Sequence, residues 1–172
     1  MVIWIIGKSG AGKTTIGKKL YYVLKEQISN LIYLDGDIMR EELSWDLGHS
    51  IQDRYVSEKR RSNLCKLLSD QGVSIICAAL SNAPDLREWN KKNINNYFEV
   101  YIKVRDEVLY RRDTKKLYEK FNNNEIKNVV GQDIPFHEPK NPSLVINNDL
   151  DESIDKIISK ILSYLKKKKI VF

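Results

Sequence analysis

One short segment of the sequence has residue types and a spacing that suit phosphate chemistry. Residues 7–14 read GKSGAGKT and fit the pattern G-x-x-x-x-G-K-[ST], in which backbone N–H groups surround the phosphates of ATP or GTP. We expect Lys13 to reach the β- and γ-phosphates and the Thr14 hydroxyl to bind Mg²⁺, because both stabilise the charge that moves during phosphoryl transfer. The segment therefore predicts a nucleotide triphosphate site.

A second candidate group is the acidic pair in Asp35-Gly36-Asp37. Phosphoryl transfer needs a metal ion, an acceptor oxygen held in line and an acid that takes the acceptor proton. Asp35 ends the second predicted strand beside the phosphate loop, at the sheet edge where open α/β folds bind ligands. We predict that Asp35 is this acid and therefore a catalytic residue. For Asp37, substrate binding and a helix N-cap are both open.

Several basic residues follow this pair, and they bear on the acceptor. They are Arg40, Arg54, Lys59 and Arg60, on helical segments that start near the same sheet edge. Each alone is typical of a surface charge. As a set they suit an anionic acceptor, because guanidinium groups hold phosphate or sulfate oxygens in a fixed geometry.

Strands and helices alternate along the chain, and together they must position these groups. The apolar run Val2–Ile6 is typical of a parallel strand covered on both faces, and the phosphate loop follows it directly. Regular alternation predicts an α/β fold with a five-stranded parallel sheet flanked by helices. Further strands are predicted over 31–35, 74–78, 97–104 and 144–146, and helices over 13–28, 53–71, 84–92, 106–112 and 150–165.

A long polar segment, about 113–141, interrupts the alternation. It contains Asn122-Asn123-Asn124, Pro135 and Pro139. Connections this long within a compact domain are usually functional, so we predict a partly helical lid. Neither a repeat nor a second domain is evident, and the sequence predicts a single domain over 1–172.

Composition and charge narrow the function classes. Much of the net charge of +6 comes from Lys166–Lys169, in a predicted basic tail over 166–172, and such a run is usually solvated. The other basic residues alternate with acids, so we expect no nucleic-acid partner. No apolar run approaches the roughly 18 residues that span a bilayer. Cys65 and Cys77 fit buried thiols, and without a signal peptide we expect a cytoplasmic protein with no membrane contact.

These motifs together resemble those of the adenylylsulfate kinases, which use MgATP to phosphorylate the 3′-hydroxyl of adenosine 5′-phosphosulfate. The resemblance covers nearly the whole chain and implies a P-loop nucleotide kinase fold with a lid, ATP and Mg²⁺ as cofactors, a small nucleotide substrate and a homodimer. Its motifs beyond the phosphate loop are Leu34-Asp35-Gly36-Asp37-x-x-Arg40, Asp46-Leu47-Gly48-x-Ser50-x-x-Asp53-Arg54, Arg112-Asp113-x-Lys115-x-Leu117-Tyr118-x-Lys120, Glu125-Ile126-Lys127-Asn128-x-x-Gly131 and Glu138-Pro139-x-Asn141-Pro142.

The resemblance also implies roles for individual positions. Asp35 resembles the acid near the metal and the acceptor hydroxyl, and Arg112 resembles an arginine on the nucleotide side. The predicted catalytic residues are Asp35 and Lys13, and the metal ligands are Thr14 and Asp35. The predicted cofactor-binding residues are Gly7, Lys8, Ser9, Gly10, Ala11, Gly12, Lys13, Thr14, Thr15 and Arg112. The predicted substrate-binding residues are Asp37, Arg40, His49, Arg54, Ser81, Lys115, Lys120 and Val129, of which Lys115 and Lys120 resemble lid lysines.

Two departures from the family pattern concern the acceptor base. His49 and Val129 stand where the family has two phenylalanines that clamp the adenine. Their replacement removes stacking worth about 1–3 kcal/mol per base. Ser57 also replaces an asparagine, and Leu80-Ser81-Asn82 replaces I-S-P. The pattern favours the same reaction on a pyrimidine nucleotide, and the resemblance extends to kinases that phosphorylate the ribose 3′-hydroxyl of cytidine diphosphoramidate in capsule modification.

Three alternatives remain open from the sequence. The acceptor is adenylylsulfate itself, or His49 is an exposed loop residue without a ligand, or the chain is a P-loop ATPase switch. Switch ATPases usually carry an acid after a hydrophobic strand, in the Walker B position. Here the third predicted strand continues into Ala78-Ala79-Leu80-Ser81 with no acid, so a kinase is favoured.

Overall fold

The computed structural model describes residues 1–113, 116–149 and 152–169 and contains one five-stranded parallel sheet. The strand order is β2-β3-β1-β4-β5, which confirms the predicted fold class. The strands are β1 Val2–Ile6, β2 Leu31–Asp35, β3 Ser74–Ala79, β4 Tyr97–Lys103 and β5 Leu144–Asn147, and the helices are α1 Lys13–Lys25, α2 Gly36–Leu43, α3 Ile51–Asp70, α4 Pro84–Asn93, α5 Asp106–Arg112, α6 Leu117–Asn122 and α7 Ile154–Lys167.

The central strand β1 holds the phosphate loop in place through its burial. All five of its side chains are fully buried, with Ile3 and Ile5 in the cluster that includes α1 and α7, and Trp4 in the cluster on the other face. Burial of each such side chain contributes about 1.5–3 kcal/mol. Because β1 lies between β3 and β4, the loop that follows it starts from the most rigid part of the sheet.

Helix boundaries differ from the prediction where capping decides them. α3 begins at Ile51 because Ser50 and Asp53 form a capping box, in which each side chain binds the other's backbone N–H. The helical segment that carries Arg40 was predicted without bounds, and the structure gives it as α2, which is short, starts with glycine and follows β2 without a loop. α1 ends at Lys25, before the predicted boundary. α7 is described from Ile154, after its predicted start.

The lysine-rich C-terminal segment is partly helical. The predicted tail over 166–172 is corrected at its start, because Lys166 and Lys167 form the last turn of α7, where positive charge offsets the negative helix end. Residues 170–172 of that prediction lie outside the described residues. Within the described part of the chain, none of the helices has the length and apolar character to cross a membrane. Cys65 and Cys77 are free and buried, as predicted.

Candidate functional site

The phosphate loop joins the C-terminal end of β1 to the first turn of α1. Gly10 and Gly12 have φ angles of 79° and 92°, in the left-handed region that glycine adopts without strain. Asn148, just after β5, donates from Nδ2 to the carbonyl of Ala11 at 3.0 Å and so holds the loop against the sheet. A loop of this kind at a helix N-terminus binds anionic phosphate groups, so its backbone fits the predicted nucleotide.

Lys13 and Lys8 take different directions from the loop. The Lys13 ammonium donates to the carbonyl oxygen of Lys8 at 2.8 Å, and Lys13 lines the main cavity. The Lys8 ammonium forms an ion pair with Asp106 at 2.5 Å and lies over the ring of Phe136. The structure therefore brings Lys13 to the predicted phosphate site and directs the Lys8 side chain to α5.

Asp35 accepts hydrogen bonds at both carboxylate oxygens. Oδ2 accepts from the hydroxyls of Thr14 and Tyr33, each at 2.9 Å, and Oδ1 accepts from the backbone N–H of Asp37 at 3.0 Å. The last bond makes Asp35 the N-cap of α2, so the cap considered for Asp37 belongs to Asp35. Burial alone would raise the pKa of Asp35, but these hydrogen bonds together bring that pKa below its usual value.

The pair of Thr14 and Asp35 fits a magnesium ion. An ionised carboxylate and a hydroxyl are oxygen ligands, and Mg²⁺ is usually held by one or two carboxylates together with substrate phosphates and water. Among residues 1–113, 116–149 and 152–169, no three His, Cys, Asp or Glu side chains are grouped for a metal ion. A site of this type needs the nucleotide to complete it, so the two residues present are sufficient protein ligands.

A cavity of about 680 Å³ extends from the phosphate loop across the carboxyl ends of β2 and β3. It brings together residues that are far apart in the sequence. Gly7 and Ala11 are buried, and neither lines this cavity. The predicted residues that line it are Ser9, Gly10, Gly12, Lys13, Thr14, Thr15, Asp35, Asp37, Arg40, Arg54, Ser81 and Arg112.

The end of the cavity away from the loop is positively charged. Arg40, Arg54 and Arg61 all line it. Burial and then the charge of Arg61 lower the pKa of Arg40, and burial and then the charge of Arg40 lower the pKa of Arg54. These like charges are thus close enough to repel one another. An anion bound among them would relieve the repulsion and accept their hydrogen bonds.

Arg54 also connects the two segments that carry the base-site departures. Its Nε donates to the carbonyl of His49 at 3.0 Å and its Nη2 donates to the carbonyl of Asn128 at 2.6 Å. The exposed His49 lines a smaller cavity of about 350 Å³ with Asp37, Arg40 and Trp45. Partial desolvation of the ring, followed by the charges of Arg40 and Arg54, lowers the pKa of His49 and so disfavours its charged form.

Two of the predicted substrate residues, Val129 and Lys120, line neither of the two cavities described above. Val129 is 2% exposed and lines neither of the two cavities, and its N–H donates to Asp133 Oδ1 at 2.6 Å. Lys120 is exposed on α6 and lines neither cavity. Lys115 lies outside the described residues. The aliphatic side chain of Val129 is therefore buried and does not face either cavity.

The lid is attached to the loop between β3 and α4. Asn82 donates from Nδ2 to the carbonyl of Pro135 at 2.9 Å and accepts at Oδ1 from the N–H of His137 at 2.8 Å. In the same loop, Ser81 has a φ of 50°, which is strained for a residue other than glycine, and its Oγ accepts from Trp4 Nε1 at 2.7 Å. These contacts hold Ser81 in the cavity wall.

Sequence reasoning missed four residues that shape the site. Tyr33 bonds Asp35 two residues further along β2, on the same face of the strand, so the period of a strand was the available signal for it. Asn148 bonds the carbonyl of Ala11 from the far end of the chain, which no local pattern indicates. Glu58 and Arg61 lie on α3, are only 4% and 7% exposed, and line the main cavity. Charged residues on a long helix are usually at the surface, so only the tertiary structure identifies this pair.

We predict that Tyr33→Phe acts through the ionisation of Asp35. Removing the phenolic donor takes away a hydrogen bond that favours the carboxylate, so the pKa of Asp35 should rise. The predicted role of Asp35 as a base requires the ionised form, so the acidic limb of the kcat profile should move to higher pH, with a several-fold loss of kcat near that limb. A pH profile between 4 and 8 measures the shift, with Tyr22→Phe on α1 as the exposed control. An unchanged acidic limb would exclude this positioning role.

Comparison with known proteins places this geometry among nucleotide kinases. The family model described as Adenylylsulphate kinase matches residues 1–147. The chain is 43% identical over 164 residues to the cytidine diphosphoramidate kinase of Campylobacter jejuni subsp. jejuni, covering 93% of this chain and 95% of that protein. It is 38% identical over 171 residues to an adenylyl-sulfate kinase of Gloeothece citriformis, covering 96% and 97%.

The fold is also similar to that of a solved adenylylsulfate kinase structure. The Mycobacterium tuberculosis APS kinase CysC, in complex with AMPPNP and APS, matches with a TM-score of 0.87 and 34% identity over 96% of each chain. Structures below 25% identity, including a gluconokinase from Sinorhizobium meliloti with a TM-score of 0.63, share the fold. The arrangement of loop, sheet and helices is thus that of phosphoryl-transferring P-loop kinases.

Proposed function

The chain belongs to the adenylylsulfate kinase family, and from this premise we propose that it transfers the γ-phosphoryl group of ATP to the ribose 3′-hydroxyl of cytidine diphosphoramidate. Family membership makes the chain a kinase, a phosphotransferase that acts on a hydroxyl group. The observation that carries the choice of acceptor is the base site. Val129 has an aliphatic side chain, is 2% exposed and lines neither cavity, so it supplies no ring of an adenine clamp, and the other phenylalanine of the family is replaced by the smaller, more polar imidazole of His49.

The donor half of the reaction uses the phosphate loop. Its backbone N–H groups would hold the β-phosphate, and Lys13 would exchange its bond to the Lys8 carbonyl for bonds to the β- and γ-phosphates. Thr14 and Asp35 would hold Mg²⁺, which neutralises charge on the phosphate oxygens. Arg112 and Thr15, which also line the cavity, complete the nucleotide side.

In the transfer step, the acceptor 3′-oxygen forms a bond to the γ-phosphorus while the bond to the bridging oxygen breaks and ADP leaves. The transition state of such reactions is loose, so little proton transfer is needed early. Asp35, with its lowered pKa, is suited to orient the hydroxyl and to take its proton late. The lid, attached to Asn82 and Arg87 through backbone carbonyls, would exclude the water that competes as acceptor.

The acceptor half uses the charged end of the cavity. Arg40, Arg54 and Arg61 would bind the 5′-diphosphate-type chain, since guanidinium groups bind phosphoryl oxygens in pairs. The smaller cavity contains His49 and Trp45, whose indole is 82% exposed. An indole face stacks on any base, and a pyrimidine needs less of it than adenine. This cavity therefore suits a cytosine ring.

A second candidate function is the phosphorylation of adenylylsulfate to 3′-phosphoadenylylsulfate. Two observations favour it: the 38% identity to an adenylyl-sulfate kinase and the 34% identity to a kinase solved with APS bound. The arginines at the end of the cavity can donate hydrogen bonds to sulfate oxygens and to phosphate oxygens alike. The two candidates differ in the base and in the terminal group of the acceptor, so acceptor preference separates them.

We predict that cytidine diphosphoramidate is used with a kcat/KM about tenfold or more above that of adenylylsulfate, because the loss of even one stacking contact costs about 1–3 kcal/mol. ADP release measures the rate, and phosphorus NMR of the product identifies the 3′-phosphate. A His49→Phe variant, which replaces the imidazole with the larger apolar ring that the family has at this position, should narrow the gap. Efficient turnover of adenylylsulfate with none of cytidine compounds would contradict the proposal.

A further inference from the structure

A buried carboxylate in the wall of the main cavity has one oxygen without a partner. Glu58, on α3, is 4% exposed, and its Oε2 accepts from the backbone N–H groups of Asn82 at 2.9 Å and Ala83 at 3.3 Å. Its Oε1 has no hydrogen-bond partner in the described part of the chain. A buried acceptor left unpaired costs about 1–3 kcal/mol or more for a charged group, so a ligand that donates to it would be favoured.

The two N–H groups also fix the direction of this carboxylate. They stand at the start of α4, where Ala83 is the N-cap and the following Pro84 has no N–H. Because Oε2 is held by both, Oε1 is the oxygen left without a partner, enclosed in the wall of the cavity that Glu58 lines, and a donor in the cavity reaches it only if that wall opens locally. The carboxylate is thus a fixed acceptor.

Cations surround this acceptor. Arg61, one turn further along α3, is 7% exposed, lines the same cavity, and has no partner at Nε among the described residues. Burial raises the pKa of Glu58, and the charges of Arg61 and Arg87 oppose this rise. The cavity wall therefore contains one guanidinium N–H and one carboxylate oxygen that are both buried without a partner, one helical turn apart on α3.

This combination matches a particular kind of terminal group. A phosphoramidate end, –P(O)(O⁻)NH₂, presents oxygens that accept from guanidinium groups and an amide nitrogen that donates. A sulfate end presents oxygens only, and so does a terminal phosphate, which carries more negative charge. Either of these would place an acceptor oxygen against the Glu58 carboxylate, which is repulsive in a buried site.

We propose that Glu58 selects the terminal group of the acceptor by accepting a hydrogen bond at Oε1 from a phosphoramidate N–H, while Arg61 donates to a phosphoryl oxygen. This inference rests on the proposed class of acceptor and adds the residue that distinguishes an amide end from a sulfate or phosphate end. The base is recognised separately, in the cavity that contains Trp45 and His49.

The test compares acceptors that carry the same nucleobase and differ in their terminal group. Acceptors are the 5′-diphosphoramidate and the 5′-diphosphate of cytidine, the same two compounds of adenosine, and adenylylsulfate. The wild-type enzyme should prefer the amide over the phosphate about tenfold or more in kcat/KM for whichever base it uses, the equivalent of about one hydrogen bond to a charged group. A wild-type enzyme with no preference for the amide would overturn the inference.

The Glu58→Gln substitution replaces the unpaired acceptor oxygen with a hydrogen-bond donor. The glutamine carbonyl can keep the bonds from Asn82 and Ala83, and its NH₂ group then replaces Oε1. The ratio of amide to phosphate use should fall about tenfold, mainly through the KM of the amide compound. Glu88→Gln, at an exposed position of α4, is the matched control and should leave the ratio unchanged. A Glu58→Gln enzyme that folds and keeps the wild-type ratio would show that Glu58 only caps α4.

A substrate analogue covers the case in which the variant fails to fold. The N,N-dimethyl phosphoramidate lacks N–H donors, so wild-type enzyme should lose its preference for the amide end with this compound. If the preference survives dimethylation, Glu58 does not read the N–H. The outcomes also separate the two proposals. If the enzyme prefers adenosine compounds but still prefers the amide end, only the cytidine acceptor is rejected. If it prefers cytidine compounds but Glu58→Gln leaves the ratio of amide to phosphate use unchanged, only the role of Glu58 is rejected.

Discussion

Replacing Asp35 with asparagine should lower kcat at least about a hundredfold, the loss expected when one preorganised charge interaction is removed from a phosphoryl-transfer site. Asparagine keeps an oxygen that can accept from the N–H of Asp37, so the start of α2 should be preserved. What is lost is the negative charge beside Thr14 that would hold Mg²⁺ and orient the acceptor hydroxyl. Steady-state ADP release with a saturating acceptor measures the effect.

The binding of an ATP analogue serves as the internal control for Asp35→Asn. Calorimetry should show an affinity within a few-fold of wild type, because the phosphate loop and Lys13 remain in place. Raising the Mg²⁺ concentration should recover part of the lost rate if Asp35 is a metal ligand. Asp70→Asn, at the exposed end of α3, is the matched control substitution. Turnover near wild type in Asp35→Asn would assign proton transfer and metal binding to another group.

Patterns local in the chain predicted the donor half of the site. A buried run of five apolar residues, three glycines and a Lys-Thr pair are enough to specify β1, the phosphate loop and the start of α1, and the structure confirms all three. Asp35 was found because the carboxyl ends of parallel strands meet at one edge, and it lies beside Thr14 as that rule requires. Family membership also removes support for the ATPase switch.

The acceptor half depends on contacts that no local pattern encodes. α2 begins at a glycine and depends on the Asp35 cap, so hydrophobic periodicity does not reveal it. Val129 was predicted at the substrate because of its position in a motif, yet it is buried in a turn whose N–H groups bind Asp133, and it lines neither cavity. From the sequence, Glu58 is typical of a surface position on a long helix. It is buried because α3 packs on the loop after β3. The expected homodimer stays a prediction.

Replacing Lys13 with methionine should lower kcat by about two to three orders of magnitude. The backbone N–H groups of the phosphate loop would still bind ATP, but the lysine ammonium would be lost. Methionine keeps much of the length and apolar volume of the lysine stem, so α1 should fold as before. Without the ammonium, the charge that builds up on the transferred phosphoryl oxygens would lack its nearest cation from the protein. ADP release at saturating ATP and acceptor measures the loss.

The position of the Lys13 ammonium also predicts which kinetic constant the Lys13→Met substitution changes most. The Lys13 ammonium bonds the Lys8 carbonyl at 2.8 Å, so the loop holds it across the site before ATP arrives, and little rearrangement is needed when phosphates replace that carbonyl. Lys13→Met should therefore affect kcat more than the affinity for ADP, which has no γ-phosphate. Lys19→Met, on the same helix and paired with Asp155 at the surface, is the matched control and should retain wild-type kcat. Equal losses in ADP affinity and kcat would instead assign Lys13 to ground-state binding, because a transition-state role requires the larger loss in kcat.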